Sequence, residues 1–404
     1  MSSTERLLPE PLSSARATAP ERGIAAFALL FLMETLVRAT IITVLPLQAY
    51  AILKSASAVS FLYSAIGFVG LISSLVIPLL IQQFARRWVY TLGGVCFVLL
   101  GFAVTTGTEL GLAIGLAART FGTGCMMITV QLYVLDYIKK HDFVRNDALR
   151  MTVSTVGWTF APLLGVWLAA HVSPEAPFLL SSGLALCLIA LFWVLRLSDN
   201  RVIRKAKTPP PNPLMSFYRF FRQPRLRLAW LIAVGRSTFW AAFFVFGPIL
   251  MVKTGQSSIA GAILIGLGNV LLLTAWHWGK LGAFVGIRLT TTICFTGMTV
   301  SLVAAGLTGT AMPLVTAGIL LVTAFFASGL DAIGGVPFYR AVRPLERPQM
   351  ASVYRTYLDA SDLIPPMIYG LLLTRYDLGV VFLALSVFQA LCAGLSWRYL
   401  PKGL

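Results

Sequence analysis

The stretch GIAAFALLFLMETLVRATIITVLPL, Gly23 to Leu47, decides what kind of protein this is. It is long enough to cross the hydrocarbon core of a bilayer, which needs about 20 apolar residues at 1.5 Å each. It is apolar except at Glu34 and Arg38, four positions apart and on one helical face. A secretory leader has an uncharged apolar run of about 7–15 residues. This run is longer and charged, so it reads as a membrane helix even though Ala49-Tyr50-Ala51 has the look of a cleavage site.

Outward from that stretch the same pattern recurs. The spacing predicts helices over 23–47, 57–82, 88–107, 109–138, 148–170, 177–196, 227–251, 257–278, 282–306, 311–338, 350–374 and 378–398. The bulk numbers agree: of 404 residues 57% are hydrophobic and 12% charged, against about 45–50% and about 25% in a soluble domain. Mean hydropathy is +0.82. Disorder, fibrous folds, disulfide scaffolds and soluble enzymes are excluded. Residues 1–22 form a polar N-terminal tail, and 197–226, basic and carrying Pro209, Pro210, Pro211 and Pro213, reads as an extended linker. The chain is thus expected to be all-α and polytopic, with twelve transmembrane helices in two six-helix bundles, 23–196 and 227–398, and a short tail over 399–404.

The net charge of +17 would suggest nucleic acid in a soluble protein. Its distribution says otherwise. With the N-terminus inside, twenty-five of the 32 Lys and Arg residues fall in cytoplasmic segments and three, Lys54, Lys253 and Arg375, on the outer side. That bias places both termini in the cytoplasm and the chain in the cytoplasmic membrane, against anionic lipid headgroups. Nucleic acid is not an expected partner. The five cysteines are scattered singly and the three histidines share no site, so neither a metal nor another cofactor is expected, nor an enzyme.

The four remaining bases, Arg38, Arg119, Arg236 and Arg355, lie inside predicted spans with four acids, Glu34, Asp331, Asp359 and Asp362. Eight uncompensated charges at mid-bilayer would cost roughly 20–28 kcal/mol on insertion scales. They must be paired, hydrated or both. They occupy predicted helices 1, 4, 7, 10 and 11, four of which are the first of a triplet. That suggests a three-helix repeat whose first helix faces an interior. Arg355, Asp359 and Asp362 share a face by spacing, just before Pro365-Pro366 interrupt the helix. Static pairs and working groups remain two readings of these charges.

Two inter-helix links echo each other, PLLIQQFARR (Pro78–Arg87) and GKLGAFVGIR (Gly279–Arg288). Each has a small residue seven positions on, Ala85 or Gly286, and a base nine on, Arg87 or Arg288; Arg86 precedes the first. This is similar to the inter-helix signature of the major facilitator superfamily, with Gln82 and Ala283 where the family has an acid. GWTFAPLLG (Gly157–Gly165) resembles the family's antiporter motif at Gly157, Pro162 and Gly165, with Ala161 and Val166 departing from it. Arg119, followed by Gly122 and Gly124, resembles the buried arginine that the family links to proton transfer. Arg38 and Arg236 occupy matching places in the two halves.

The resemblance implies a secondary transporter that moves a small organic solute by alternating access, and the helix-5 motif points to proton-coupled efflux. Uptake of an organic anion is the alternative, and a non-transporting assembly factor or sensor a second. Glu34 is the leading proton-titrating candidate, then Asp331, then Asp359 or Asp362. Arg38, Arg119, Gln131, Arg236, Trp240 and Asn269 are candidate substrate contacts. Gly157, Pro162, Gly165, Arg86, Arg87, Gly286, Arg288 and Arg355 are candidate structural or gating residues. The partners implied are the solute, a proton or other coupling ion, and lipid, with the chain as a monomer.

Overall fold

A computed structural model describes residues 19–137, 143–195, 213–342 and 346–401. The basic residues within 1–18, 138–142, 196–212, 343–345 and 402–404 lie outside the described residues. The first half comprises α1 (Ala19–Ala39), α2 (Val44–Leu53), α3 (Ala56–Gln83), α4 (Arg86–Thr105), α5 (Glu109–Tyr137), α6 (Phe143–His171) and α7 (Ala176–Val194). After α8 (Pro213–Arg222), the second half comprises α9 (Pro224–Lys253), α10 (Ser258–Val270), α11 (Ala275–Val285), α12 (Ile287–Thr308), α13 (Pro313–Ile333), α14 (Val336–Ala341), α15 (Arg347–Tyr354), α16 (Tyr357–Leu372) and α17 (Gly379–Tyr399). No strand occurs among the described residues.

Four of the expected single helices are broken, and most breaks have a local cause. Pro46 has no N–H for the carbonyl of Ile42, and the Thr40 hydroxyl bonds back to Leu36 O at 2.7 Å; α1 therefore stops and α2 restarts at Val44. Gly334-Gly335 followed by Pro337 divides α13 from α14. Leu271–Thr274 is a 3-10 turn between α10 and α11. Residues 350–374 are divided at Arg355-Thr356 into α15 and α16. The expected interruption at Pro365-Pro366 is absent, since α16 runs through both prolines.

Eleven helical stretches among the described residues are long and apolar enough to cross a membrane. The expected twelfth, 350–374, is not among them because of its break. Large apolar side chains such as Phe102, Phe160, Val194 and Leu307 are exposed around the bundle, as a lipid-facing surface requires. The residues read as an extended linker are helical from Pro213. On α8, Phe220 is fully buried and packs with Leu226, Ala229, Phe338 and Val353.

The two halves meet along three helix pairs, α3 with α16, α6 with α10, and α2 with α9. Three serines stitch the first pair: Ser57 donates to Gly370 O at 2.8 Å, Ser60 to Pro366 O at 2.6 Å and Ser64 to Leu363 O at 2.8 Å. Prolines 365 and 366 leave the carbonyls of Ser361 and Asp362 without their helical partners. A Cβ at Gly67 would lie 2.4 Å from that Asp362 carbonyl oxygen, so only glycine admits this approach. The serine bonds run from Ser57 to Ser64, the end of α3 nearest Leu53 and Lys54. From Leu75 onward α3 is largely exposed. The halves are thus closed at the end carrying Lys54 and Lys253.

Candidate functional site

On α1, Arg38 Nη1 donates to Glu34 Oε1 at 3.3 Å, the i,i+4 pair expected from the spacing. Glu34 is only 4% exposed. Across from it, the Arg38 guanidinium stands 5.7 Å from the ring centre of Trp158 on α6, within cation–π range. The small residues of the helix-5 motif make this approach possible. A Cβ on Gly157 would lie 2.6 Å from Thr35 Cγ2, and one on Gly165 only 1.8 Å from Thr40 O, at the break between α1 and α2. Pro162 leaves α6 unbroken. The motif is therefore a packing surface for α1, and the Trp158 carbonyl accepts from Asn269 Nδ2 at 3.0 Å, an inter-half bond to α10.

A second cluster lies wholly in the second half. Arg236 Nη1 on α9 pairs with Asp331 Oδ1 on α13 at 3.1 Å, and Arg236 Nη2 donates to the Tyr357 hydroxyl at 2.9 Å. Trp240 Nε1 donates to the other Asp331 oxygen at 2.9 Å. Both terminal guanidinium nitrogens and both carboxylate oxygens of the pair thus have a partner, as a desolvated ion pair requires. Trp240 also stacks on Phe244 at 5.9 Å, and Phe244 contacts Trp158 of the first half at 6.1 Å. This aromatic row joins the two clusters.

The helix-11 charges behave differently from their spacing. Arg355 falls in the break before α16, so it leaves the face it would share with Asp359 and Asp362. It reaches instead to α5, where Nη1 lies 3.5 Å from Gln131 Oε1 and Nη2 3.9 Å from Met127 Sδ. Asp359 faces α3 and α5: the Cβ position at Gly70 is 3.8 Å from Asp359 Oδ1 and 3.3 Å from Thr120 Cγ2. Arg119, beside Thr120, is half-buried, and its Nε is buried without a hydrogen-bond partner. Asp362 is exposed.

The two echoed links play matching structural roles. Arg87 lies over Trp88 and Trp193, at 5.9 and 5.7 Å, and Arg288 over Trp397 at 4.5 Å. In each half the base is thus stacked on a tryptophan of the last helix, α7 or α17, and neither Nε has a hydrogen-bond partner. Gly286 sits at φ 90°, a conformation that favours glycine; Ala85, its counterpart, is extended at φ −63°. Arg86 opens α4.

The structure therefore brings Glu34, Arg38 and Trp158 together, and Arg236, Asp331, Trp240 and Tyr357. Arg119, Asp359 and Asp362 lie where α3, α5 and α16 converge. Tyr357 escapes a search for intramembrane charge because a phenol is uncharged. The useful signal for Tyr357 is its place two residues after an intramembrane base, Arg355.

A polytopic helical bundle in two halves, closed against each other at one end and holding acids and bases in its interior, is the architecture of a membrane transporter. The sequence matches the family pattern of the Major Facilitator Superfamily over residues 27–330, and the chain belongs to that family. It is a multi-pass membrane transporter and not an enzyme. Solved structures share its fold at low identity. The nucleoside transporter NupG superposes with TM-score 0.74 at 12% identity, covering 93% of this chain and 99% of that one. A POT family transporter in complex with 5-aminolevulinic acid gives 0.76 at 12%, covering 93% and 95%. A D-xylose-proton symporter gives 0.70 at 15%, covering 95% and 98%. No curated protein sequence matches this chain.

Proposed function

We propose that this chain is a proton-coupled secondary transporter moving a small organic solute across the cytoplasmic membrane by alternating access, as a monomer with both termini in the cytoplasm. On this reading α15 and α16 together complete a twelfth crossing. The closed end, with Lys54 and Lys253, then faces outward and the open end inward. The observation that carries the proposal is the gathering of four acids and four arginines in the interior of the bundle, in a fold whose halves are stitched by serine bonds at the end carrying Lys54 and Lys253. Carboxyl groups there can take up and release a proton, and a rocking of the halves would expose them to each side in turn. Glu34, Asp331, Asp359 and Asp362 are the carriers to compare. Arg38, Arg119, Gln131, Arg236, Trp240 and Asn269 line the route proposed for the solute.

Efflux by antiport, the direction suggested by the helix-5 motif, requires that proton and solute compete for the protein. Uptake by symport requires that each favour the other. The Gly157–Gly165 packing lies between two helices of one half and is neutral between them. The test is proton flux in proteoliposomes carrying a trapped pH dye. Nucleosides, dipeptides, pentoses, organic acids, siderophores and amphiphilic drugs are added singly. We expect at least one class to move protons, with the sign of flux giving symport or antiport. Solute movement indifferent to a pH gradient would refute proton coupling.

A further inference from the structure

The helix that leads into the second half, α8, reads PLMSFYRFFR. At about 100° per residue, Phe217, Phe221 and Tyr218 fall on one flank of it, and Arg222, Met215 and Arg219 on the next. Ser216 and Phe220 take the remaining side and are buried. The first two flanks are open. Phe217 is 48% exposed, Tyr218 61% and Met215 51%, and Arg219 and Arg222 are exposed as well. A short helix that turns aromatic rings outward beside bases is amphipathic on its free surface, and not only against the bundle.

The depth of α8 is set by α9. That helix has 30 residues, about 45 Å of length against about 30 Å of hydrocarbon. Its first turn, with Arg225 and Arg227, therefore emerges among the lipid headgroups. Only Gln223 separates α8 from α9. The chain folds back there, since Phe220 packs with Leu226 and Ala229 of the first turns of α9. α8 thus lies at headgroup level and does not stand off in water.

The charge around it has one sign. Between Asp199 and Asp331 the sequence contains no acid, while residues 201–227 contain eight bases. Of the helices packed on α8, α9 and α14 carry no acid, and α15 has Glu346 at its entry. Arg340, near the end of α14, adds an exposed base. An aromatic flank beside a basic one at this depth complements an anionic lipid surface: the rings enter the acyl boundary and the guanidinium groups meet phosphates.

We infer that α8 is a docking surface for the anionic phospholipid bilayer, with Phe217 and Tyr218 seated at the acyl boundary and Arg219 and Arg222 on lipid phosphates. Its inner face carries that hold into the second half. Phe220 meets Phe338 at 6.5 Å, and Phe338 stacks on Tyr354 at 4.2 Å. Phe221 meets Trp230 at 5.3 Å, and Trp230 Nε1 donates to Thr356 Oγ1 at 3.1 Å. Tyr354 and Thr356 flank Arg355, where α15 and α16 divide. Lipid held on the outer face of α8 therefore braces this division, and the anionic content of the membrane becomes an input to the second half. Proton coupling plays no part in it.

The experiment places the purified full chain, one copy per disc, in nanodiscs of phosphatidylcholine alone or mixed with phosphatidylglycerol, and follows hydrogen exchange. Each base near an anionic surface is worth about fivefold in affinity, so we expect peptides covering 213–222 to exchange at least about tenfold more slowly in the anionic discs. Peptides covering 350–358 should slow with them and α12 should not. The difference should shrink as salt is raised. Arg219→Gln with Arg222→Gln should erase the difference between the discs, and Phe217→Ser with Tyr218→Ser should speed exchange over 213–222 in both. These side chains are exposed, so the variants should fold, and melting in detergent checks that they do; if they do not, the salt dependence of the unaltered chain decides alone. Equal exchange in the two discs, a difference indifferent to salt, or a difference kept by the arginine variant overturns the inference. Protection that needs two copies per disc, whatever the lipid, would assign the surface to a second copy and overturn it too. Slowing over 213–222 with none over 350–358 would overturn the link to the division of α15 from α16.

Discussion

Arg236 and Asp331 are joined at 3.1 Å, and each has a second partner, Tyr357 for the base and Trp240 for the acid. The four side chains form a closed polar cluster between α9, α13 and α16. Removing the acid alone leaves Arg236 without its countercharge, whereas removing both charges does not. Breaking a buried pair costs about 3–5 kcal/mol, and this one, about a quarter accessible, belongs at the lower end. Asp331→Asn should therefore lower the melting temperature clearly, and the double variant Asp331→Asn/Arg236→Gln should recover part of the loss. Additive losses in a double-mutant cycle would show the two residues to be independent.

Gly165 faces Thr40 O with no room for a methyl group. Gly165→Ala should destabilise the chain by about 1–3 kcal/mol, the usual range for overpacking. Gly183 in α7 has nothing within 4 Å of its Cβ position. Gly183→Ala should be neutral or gain up to about 1 kcal/mol from better helix propensity. Melting curves of the two variants in one detergent make the comparison.

The seal between halves depends on serine hydroxyls that donate to α16 carbonyls. Ser60→Ala and Ser64→Ala together should weaken it by about 0.5–1.5 kcal/mol for each bond. The expected result is faster hydrogen exchange in peptides covering 41–60 and 363–373, with little change in α12 and α17. Unchanged exchange at those peptides would mean that helix packing alone holds this end shut.

Asp377, in the loop before α17, lies outside the spans. Its partial burial pulls the carboxyl up, but hydrogen bonds from Lys253, Thr310 and the Leu378 N–H overcome this and hold it below the usual range. A depressed acid stabilises the fold above its unfolded value of about 3.9, and that contribution is lost as pH falls through the lower folded value. The side chain is 52% exposed, so solvent screening limits the effect to about 1 kcal/mol or less. Asp377→Asn should melt slightly below the unaltered chain at pH 5–8, and the gap should close below about pH 4. A gap that widens in acid would reverse the sign.

Glu34 is buried and Asp362 exposed, so their substitutions should weigh differently on stability. Glu34 is buried and paired with Arg38, so Glu34→Gln leaves a base partly uncompensated and should cost about 1–3 kcal/mol of stability. Asp362→Asn should cost less stability and remove more of the pH dependence of transport. Paired measurements of melting and of pH-driven flux check this, and the opposite ranking would favour Glu34 as the proton carrier.

Much of this protein was legible in its sequence. Lipid permits only segments whose backbone bonds are internal, so runs of apolar residues mark helices with few alternatives. An i,i+4 pair on one unbroken helix, Glu34 and Arg38, was likewise readable, because the helix itself sets that distance. The same logic failed for Arg355, Asp359 and Asp362. Their spacing promises a shared face only if the helix is continuous, and it breaks at Arg355-Thr356 while running through the two prolines.

The partners of the other charges were beyond any local rule. Arg236 meets an acid on α13, and Arg355 meets Gln131 on α5, at sequence separations where only helix packing decides proximity. That packing depends on close approaches at Gly67, Gly157 and Gly165 and on serine-to-carbonyl bonds that no spacing announces. The sequence by itself determined an all-helical membrane protein with eight intramembrane charges that had to be compensated. Tertiary structure decided which charges are tied within one half and which reach to the other, because a buried charge is compensated by whatever the fold brings beside it and not by what precedes it in the chain.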